Sequence, residues 1–472
     1  MFSRLSALIK TAYQYCTSTL SSLVVSDIPA AATMKDGVSI QTFRLLFTTM
    51  HAVTIKPVCP PEQAADMLRA VMNSTEPDAR SAYDRVNHLS SSNFFLSMND
   101  AKAWQLKQLL STALRKNHQQ LSTEADVEIE KMLTFLREQT GLTSSVNCYI
   151  THSVRAFIIR ALTGLELTTA VQEMLDIDSA ELNGNDFGFM PGMPYFFRFL
   201  SGGFRALRNK WHQVIDEFLR VELLRLSKAT LAESNFLMIL VLMRFPDRDF
   251  AALVADPDIL KQIIADPDIR LAVIGAIGAD NLAKAVIAAL KVLFIPSLGR
   301  SIRHRDIIYA ELSAMAERTE DMTELNVTDE KVFPYLHAFW LETLRCYPPM
   351  PDIMRYTAKG MQAGHVTIPP KSFIKLVFPL FAKVGNDKFD TAIFEPVRHL
   401  NNENSRLHNG YLTPFGIGER MCPAHRISEL TFKKIVVALV LNFRDLRADR
   451  IECTSLVKKQ QRVVKSLHLQ LF

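Results

Sequence analysis

Apolar residues recur at helical spacing along most of the chain. The pattern predicts helices over 61–73, 99–116, 124–140, 146–164, 204–228, 233–244, 303–318, Pro334–Cys346 and 423–443. The longest run extends from Pro267 to Ile295, with Pro296 as its stop, about 43 Å of helix at about 1.5 Å per residue. Asp268, Arg270, Asp280, Lys284 and Lys291 argue against a membrane span there. Gly275 and Gly278 inside it each cost about 1 kcal/mol of helix propensity, so a close approach to that backbone is expected. Ala-Asp-Pro-Asp-Ile occurs at 255–259 and again at 265–269, and each copy reads as a helix start, with aspartate as cap and proline at the first helical position. Residues 351–400 change character. Prolines break them up, a β-type run covers Lys371–Phe378, and the tail after Ile451 is strand-like. Helices first and a small strand-rich portion late predict an α+β fold, mainly α.

At the amino terminus Phe2, Leu5, Leu8, Ile9, Ala12, Tyr13 and Cys16 form one apolar stripe, with Arg4 and Lys10 but no acid. Residues 1–30 therefore read as an amphipathic segment, either membrane-surface or targeting. Residues 31–472 show no flexible linker and read as one domain. Only 17 of 472 residues are glycine, too few for the hairpins of a β-sandwich. A net charge of +5 without a long basic block gives no field for nucleic acid. The six cysteines are scattered with no C-x-x-C pair, which fits a reducing, intracellular compartment.

Residues 413–425 read Thr-Pro-Phe-Gly-Ile-Gly-Glu-Arg-Met-Cys-Pro-Ala-His. A glycine-rich turn delivers one cysteine, and Pro423 suits the first position of the following helix, which makes Cys422 its expected cap. The positive end of a helix favours thiolate, hence a nucleophile or a metal ligand. Half a zinc site with His425, or a Cys–His thiol enzyme, are the readings this spacing leaves open. Phe415, Gly416 and Gly418 would suit a flat partner, with Arg420 offered to an anionic edge.

This loop resembles the haem-loop signature of the cytochrome P-450 family, F-x-x-G-x-R-x-C-x-(G/A), at Phe415, Gly418, Arg420, Cys422 and Ala424. Two further motifs of that family precede it in order: Glu342-x-x-Arg345, then Phe394-x-Pro396-x-Arg398. The resemblance implies the cytochrome P-450 fold, with a long central helix over a haem b (iron protoporphyrin IX) and a small β-rich portion. It implies Cys422 as the iron ligand, and Glu342, Arg345 and Arg398 as a buried structural network. Arg420 and Arg355 match positions that hold the haem propionates. Trp104 resembles the tryptophan of W-x-x-x-R, but the arginine is missing (Gln108), so Lys107 is the candidate substitute.

The family's oxygen-binding motif, (A/G)-G-x-(D/E)-T-T, is represented by Ile277-Gly278-Ala279-Asp280-Asn281-Leu282. Glycine and acid are kept, but Asn281 stands where a threonine is usual. An amide separates donors and acceptor on different atoms, so it orients a water better than it passes a proton. Asp280 and Asn281 are the candidate catalytic pair.

The resemblance implies a monooxygenase inserting one atom of dioxygen into an apolar small-molecule substrate, a role typical of secondary metabolism. Phe94, Phe95, Phe187, Phe189, Met190, Met193, Phe196 and Phe197 are expected to line its pocket. No flavin or nicotinamide fingerprint is present, so electrons from NADPH would arrive through a separate reductase. Lys107, Arg115, Arg426, Lys433 and Lys434 are expected docking groups. Asn281 keeps two alternatives open: a non-oxygenating haem-thiolate isomerase, lyase or peroxide-using enzyme, and a catalytically silent haem binder. Expected locations are the endoplasmic-reticulum surface, with peripheral membrane contact, or the cytoplasm, with mitochondria as a further address.

Overall fold

The computed structural model describes residues within 25–55, 61–77, 101–138, 144–175, 202–228, 236–270, 279–294, 301–316, 326–377, 393–400, 414–416, 421–443, 447–457 and 461–470, apart from short stretches inside some of these ranges. The amphipathic stripe at 2–16, Gly275 and Gly278, the pocket aromatics from Phe94 to Phe197, Gly418 and Arg420 lie outside the described residues.

Four strands open the described chain: β1 (Val25–Asp27), β2 (Thr33–Lys35), β3 (Val38–Leu45) and β4 (Thr48–Ile55). The expectation of helices first is corrected here. Val38-Ser-Ile-Gln alternates at period two, and Thr48–Ile55 is rich in β-branched residues, the composition of a strand pair. Helices follow: α1 (Pro61–Ser74), then, after the two-residue β5 (Glu76–Pro77), α2 (Ala101–Lys116) and α3 (His118–Glu138). After β6 (Ser144–Ser145) come α4 (Asn147–Thr163), α5 (Gly202–Leu226), α6 (Phe236–Arg244), α7 (Phe250–Ala255), α8 (Pro257–Ala265), α9 (Ala279–Phe294), α10 (Ser301–Ala316) and α11 (Pro334–Cys346). Strands β7 (Asp352–Thr357), β8 (Met361–Ala363), β9 (Val366–Ile368) and β10 (Ser372–Val377) lead to a 3-10 turn, Pro396–His399. The chain closes with α12 (His425–Asn442) and the hairpin β11 (Arg447–Val457) and β12 (Gln461–Gln470).

The larger sheet runs β1-β3-β4-β10-β7-β5, with β2 beside β3, and its β4–β10 pair is parallel while the others are antiparallel. Through Met67, Leu68 and Val71, helix α1 packs on this sheet and on the separate β8–β9 pair. The repeated pentapeptide works as expected. Asp256 caps α8, its carboxylate accepting from the N–H groups of Asp258 and Ile259, and Asp266 accepts from Ile269 N–H at 3.2 Å.

The main core is built by α3, α4, α9, α10, α11 and α12. Helix α9 is buried on nearly every side, from Leu282 to Phe294, which marks a central helix rather than a surface one. The predicted run from Pro267 is seen as helix at Ile269–Arg270 and from Ala279 onward, with 271–278 outside the described residues. No described helix is long and apolar enough to cross a membrane.

Candidate functional site

Helix α11 brings the first constellation together. The Glu342 side chain is fully buried, and each of its oxygens is spoken for. Arg345 donates to both, Nε to Oε2 at 2.7 Å and Nη2 to Oε1 at 2.8 Å. Arg398 Nε reaches Oε1 at 3.0 Å, the backbone N–H of Glu395 reaches it at 2.7 Å, and His399 Nε2 lies 2.8 Å from Oε2. Both arginines also donate to the carbonyl of Ile393. The two motifs predicted from sequence are thus one network that staples the 393–399 segment to α11. Burial alone would raise the Glu342 carboxyl, and the hydrogen bonds from Arg345 and His399 more than reverse this, holding it down to about 2. His399 escaped the sequence reading. The signal was its place directly after Arg398, since a carboxylate with about four acceptor sites has room for more donors than two arginines.

Cys422 stands just ahead of α12. Its backbone N–H donates to Phe415 O at 2.8 Å, which closes the loop on itself, and Gly416 takes a φ of +74°, a conformation side chains disfavour. Phe415 packs at 6.0 Å from Trp340 of α11, whose ring lies 4.5 Å from Phe432 of α12, so the loop is backed by an aromatic wall. The expected cap position is corrected. The helix begins at His425 with Ala424 before it, and Pro423 and Ala424 form a turn, so Cys422 lies outside the cap. Burial pushes the Cys422 thiol up, against the Ala424 backbone N–H and the positive charge of Lys107, which act to lower it. A metal bound at the sulfur would act in the opposite direction and favour thiolate.

The donor set fits haem iron. No cluster of three His, Cys, Asp or Glu able to hold a bare metal ion exists among the described residues. A porphyrin brings nitrogen donors of its own, and Cys422 is the side chain that could supply the chain's one ligand to its iron. His425 does not complete a zinc pair or a Cys–His dyad through Nδ1, because that nitrogen lies 3.1 Å from the carbonyl oxygen of Cys422 and donates to it. The other described thiol, Cys346, sits beside Glu342 and is driven by burial and by that carboxylate up to about 12, which leaves it inert.

The remaining predicted residues stand on α2, β7 and α9. Trp104 on α2 is substantially exposed, and Lys107 Nζ lies 5.2 Å over its ring. Arg355 is buried on β7 and donates through Nη2 to Met72 O at 3.2 Å. Asp280 is buried in the first turn of α9, and Arg155 of α4 grips it with two bonds, Nε to Oδ1 at 2.7 Å and Nη2 to Oδ2 at 3.0 Å. Arg155, unmarked in the sequence reading, also donates to Leu175 O. Lys284, one turn beyond Asp280, is lowered by burial, with Asp280 acting in the opposite direction. Asn281 is partly buried beside this group. Two of the basic residues expected on a docking surface are corrected. Lys433 is fully buried, and Lys434 is tied at 2.6 Å to Asp126 of α3, whereas Arg426 and Arg115 are exposed.

Comparison with known proteins bears on the family and the fold. The chain resembles germacrene A hydroxylase of Cichorium intybus, 29% identical over 262 residues (55% of this chain, 49% of that protein). It also resembles the probable cytochrome P450 4s3 of Drosophila melanogaster, 28% identical over 127 residues, 27% of this chain and 26% of that protein. The chain spans about half the length, or less, of these curated relatives. Among solved structures, the cytochrome P450 CYP102L1 superposes with a TM-score of 0.65 at 15% identity, covering 93% of this chain and 92% of that one. CYP175A1 of Thermus thermophilus gives 0.57 at 16% identity and 89% of each chain, a likeness of fold alone. The family pattern described as Cytochrome P450 matches residues 62–461, a span that holds the Glu342 network, Asp280 and Cys422, and the chain belongs to that family.

Proposed function

We propose that the chain is a haem-thiolate monooxygenase that inserts one atom of dioxygen into an apolar small molecule, with electrons from NADPH delivered by a separate reductase. The observation that carries it is Cys422 on a loop closed by its own backbone N–H to Phe415 and backed by the rings of Trp340 and Phe432. Haem, when bound, supplies the oxygen-activating iron. Cys422 would be its ligand, giving up its thiol proton on binding, with Phe415, Gly418, Arg420, Arg355, Trp104 and Lys107 as further haem contacts. Residues 31–472 would act as one catalytic domain. The relatives named germacrene A hydroxylases support hydroxylation of a small molecule in secondary metabolism. Attachment to the endoplasmic-reticulum surface is the location we propose.

Asn281 would orient water through its amide, and Asp280 would pass protons to it. The grip of Arg155 sets the terms, since Asp280 must exchange one guanidinium bond for a water to take part. Asn281→Thr restores a hydroxyl that both donates and accepts, so it should preserve or raise the fraction of electrons that end in product. Asp280→Asn, which keeps the shape, should slow turnover by about 10²-fold or more. Measurement of NADPH consumed against product formed, with reductase supplied, checks both.

The second reading is a haem-thiolate isomerase, lyase or peroxide-using enzyme, favoured by the same two facts: no hydroxyl at 281, and an acid committed to Arg155. Under it Asn281 would hold the substrate's own oxygens, and Asn281→Thr would lower activity. Product formed without any electron donor would overturn the monooxygenase reading, and haem binding without turnover of any substrate would leave only a silent haem protein.

A further inference from the structure

Helix α12 carries Cys422 at its head, and most of its hold on the core is apolar, through Ile427, Leu430, Phe432, Ile435, Val436 and Leu439. Apolar burial has no preferred direction. Direction enters through a polar cluster that the proposed mechanism leaves unused. Lys433 Nζ is 2.6 Å from Glu429 Oε1, one turn back on α12, and 3.1 Å from Nδ1 of His337 on α11. That same Nδ1 lies 3.0 Å from Glu429 Oε1. With a neutral imidazole, the triangle is consistent in one way. The ammonium donates to both the carboxylate and Nδ1, and the ring proton sits on Nε2, which faces Glu330 Oε2 at 3.4 Å. The shared ammonium joins two acceptors that would otherwise repel. On another flank, Lys434 donates to Ser122 O and Asp126 of α3, so α12 has polar ties to both α11 and α3. Glu311 of α10 accepts the N–H groups of Tyr335 and Leu336, which fixes the first turn of α11 beside the cluster.

An ammonium is expensive to bury, and the best-attested reason to retain one is to fix register. Helix α11 supplies the reference here, because its Glu342 also holds the 393–399 segment. A slip of α12 by one residue would move the sulfur by about 1.5 Å. We propose that Lys433 is a positioning residue for Cys422, locking α12 to α11 in the register that sets where the sulfur stands. This rests on Cys422 being the haem ligand.

The test compares the full chain with Lys433→Met and with the double variant Lys433→Met/Glu429→Leu. Three quantities are read: the thermal midpoint, amide hydrogen exchange over 421–428, and the Soret position of the reduced carbon monoxide complex. The single variant should lower the midpoint, displace the Soret band and speed exchange over 421–428 roughly tenfold. The double variant removes the orphaned carboxylate, so it should regain the midpoint and still show the displaced band and fast exchange. Wild-type spectrum and exchange in the single variant, or their recovery together with the midpoint in the double, would overturn the proposal. If the single variant does not accumulate, the double decides on the same two readouts. A wild-type chain that binds no haem sinks the ligand assignment instead, while exchange over 421–428 still decides whether Lys433 sets the register.

Discussion

Cys422→Ala is expected to abolish the red-shifted Soret band of the reduced, carbon monoxide-bound protein, the largest spectral effect any single substitution in this chain should have. Among the described residues nothing else near the loop can replace the sulfur: His425 is turned to the Cys422 carbonyl, and Cys346 is engaged by Arg345 at 3.0 Å beside Glu342. The fold should survive, because Cys422 holds its loop through a backbone N–H that alanine keeps. Cys346→Ala is the matched control and should retain the band. A Cys422→Ala protein with the wild-type band would remove the haem-thiolate assignment altogether.

Glu342→Ala is expected to lose soluble, haem-loaded protein. The carboxylate is the hub for two arginines, a histidine and one backbone N–H, and its removal leaves both guanidinium groups buried without their counter-charge. Breaking such a buried pair costs about 3–5 kcal/mol, a large part of what holds a domain of this kind folded. The carboxyl lies at about 2 in the folded chain against 4.5 for the free group, which corresponds to about 3 kcal/mol by linkage. A depressed folded value stabilises the protein above the unfolded value. That contribution is complete above about pH 4.5 and is lost as pH falls towards about 2. Chemical denaturation of wild type and Glu342→Gln at a series of pH values should therefore show the gap between them closing over this window. A gap independent of pH would contradict the network.

What the sequence made legible was local or strongly typed. Asp256 and Asp266 cap where proline and aspartate stand together, because a cap is decided within three residues. The Glu342–Arg345–Arg398 trio and the cysteine loop were legible through a resemblance rather than through periodicity. The rest depended on distant chain. Strands β3 and β4 were missed because a short alternating run competes poorly with helix-rich surroundings, and β4 finds its second partner in β10, far along the sequence. Arg155 reads as an ordinary basic residue in an amphipathic helix until α9 supplies Asp280. Lys433 was expected at the surface because lysine usually is, and only the proximity of His337 and Glu429 makes its burial tolerable.

The parallel pairing of β4 with β10 governs the order in which the chain can be completed as it is made. The β3–β4 hairpin has everything it needs once residue 55 has emerged, but the other edge of β4 waits for Ser372–Leu376, more than 300 residues later. At ordinary rates of synthesis, roughly 5–20 residues per second, that interval lasts roughly 15–65 s. Throughout it β4 presents an open strand edge, the usual template for pairing with a foreign chain. Nascent chains of this protein are therefore most prone to aggregate while the central helices are being made, and a chaperone that covers the first 55 residues over that interval should raise the yield of folded protein.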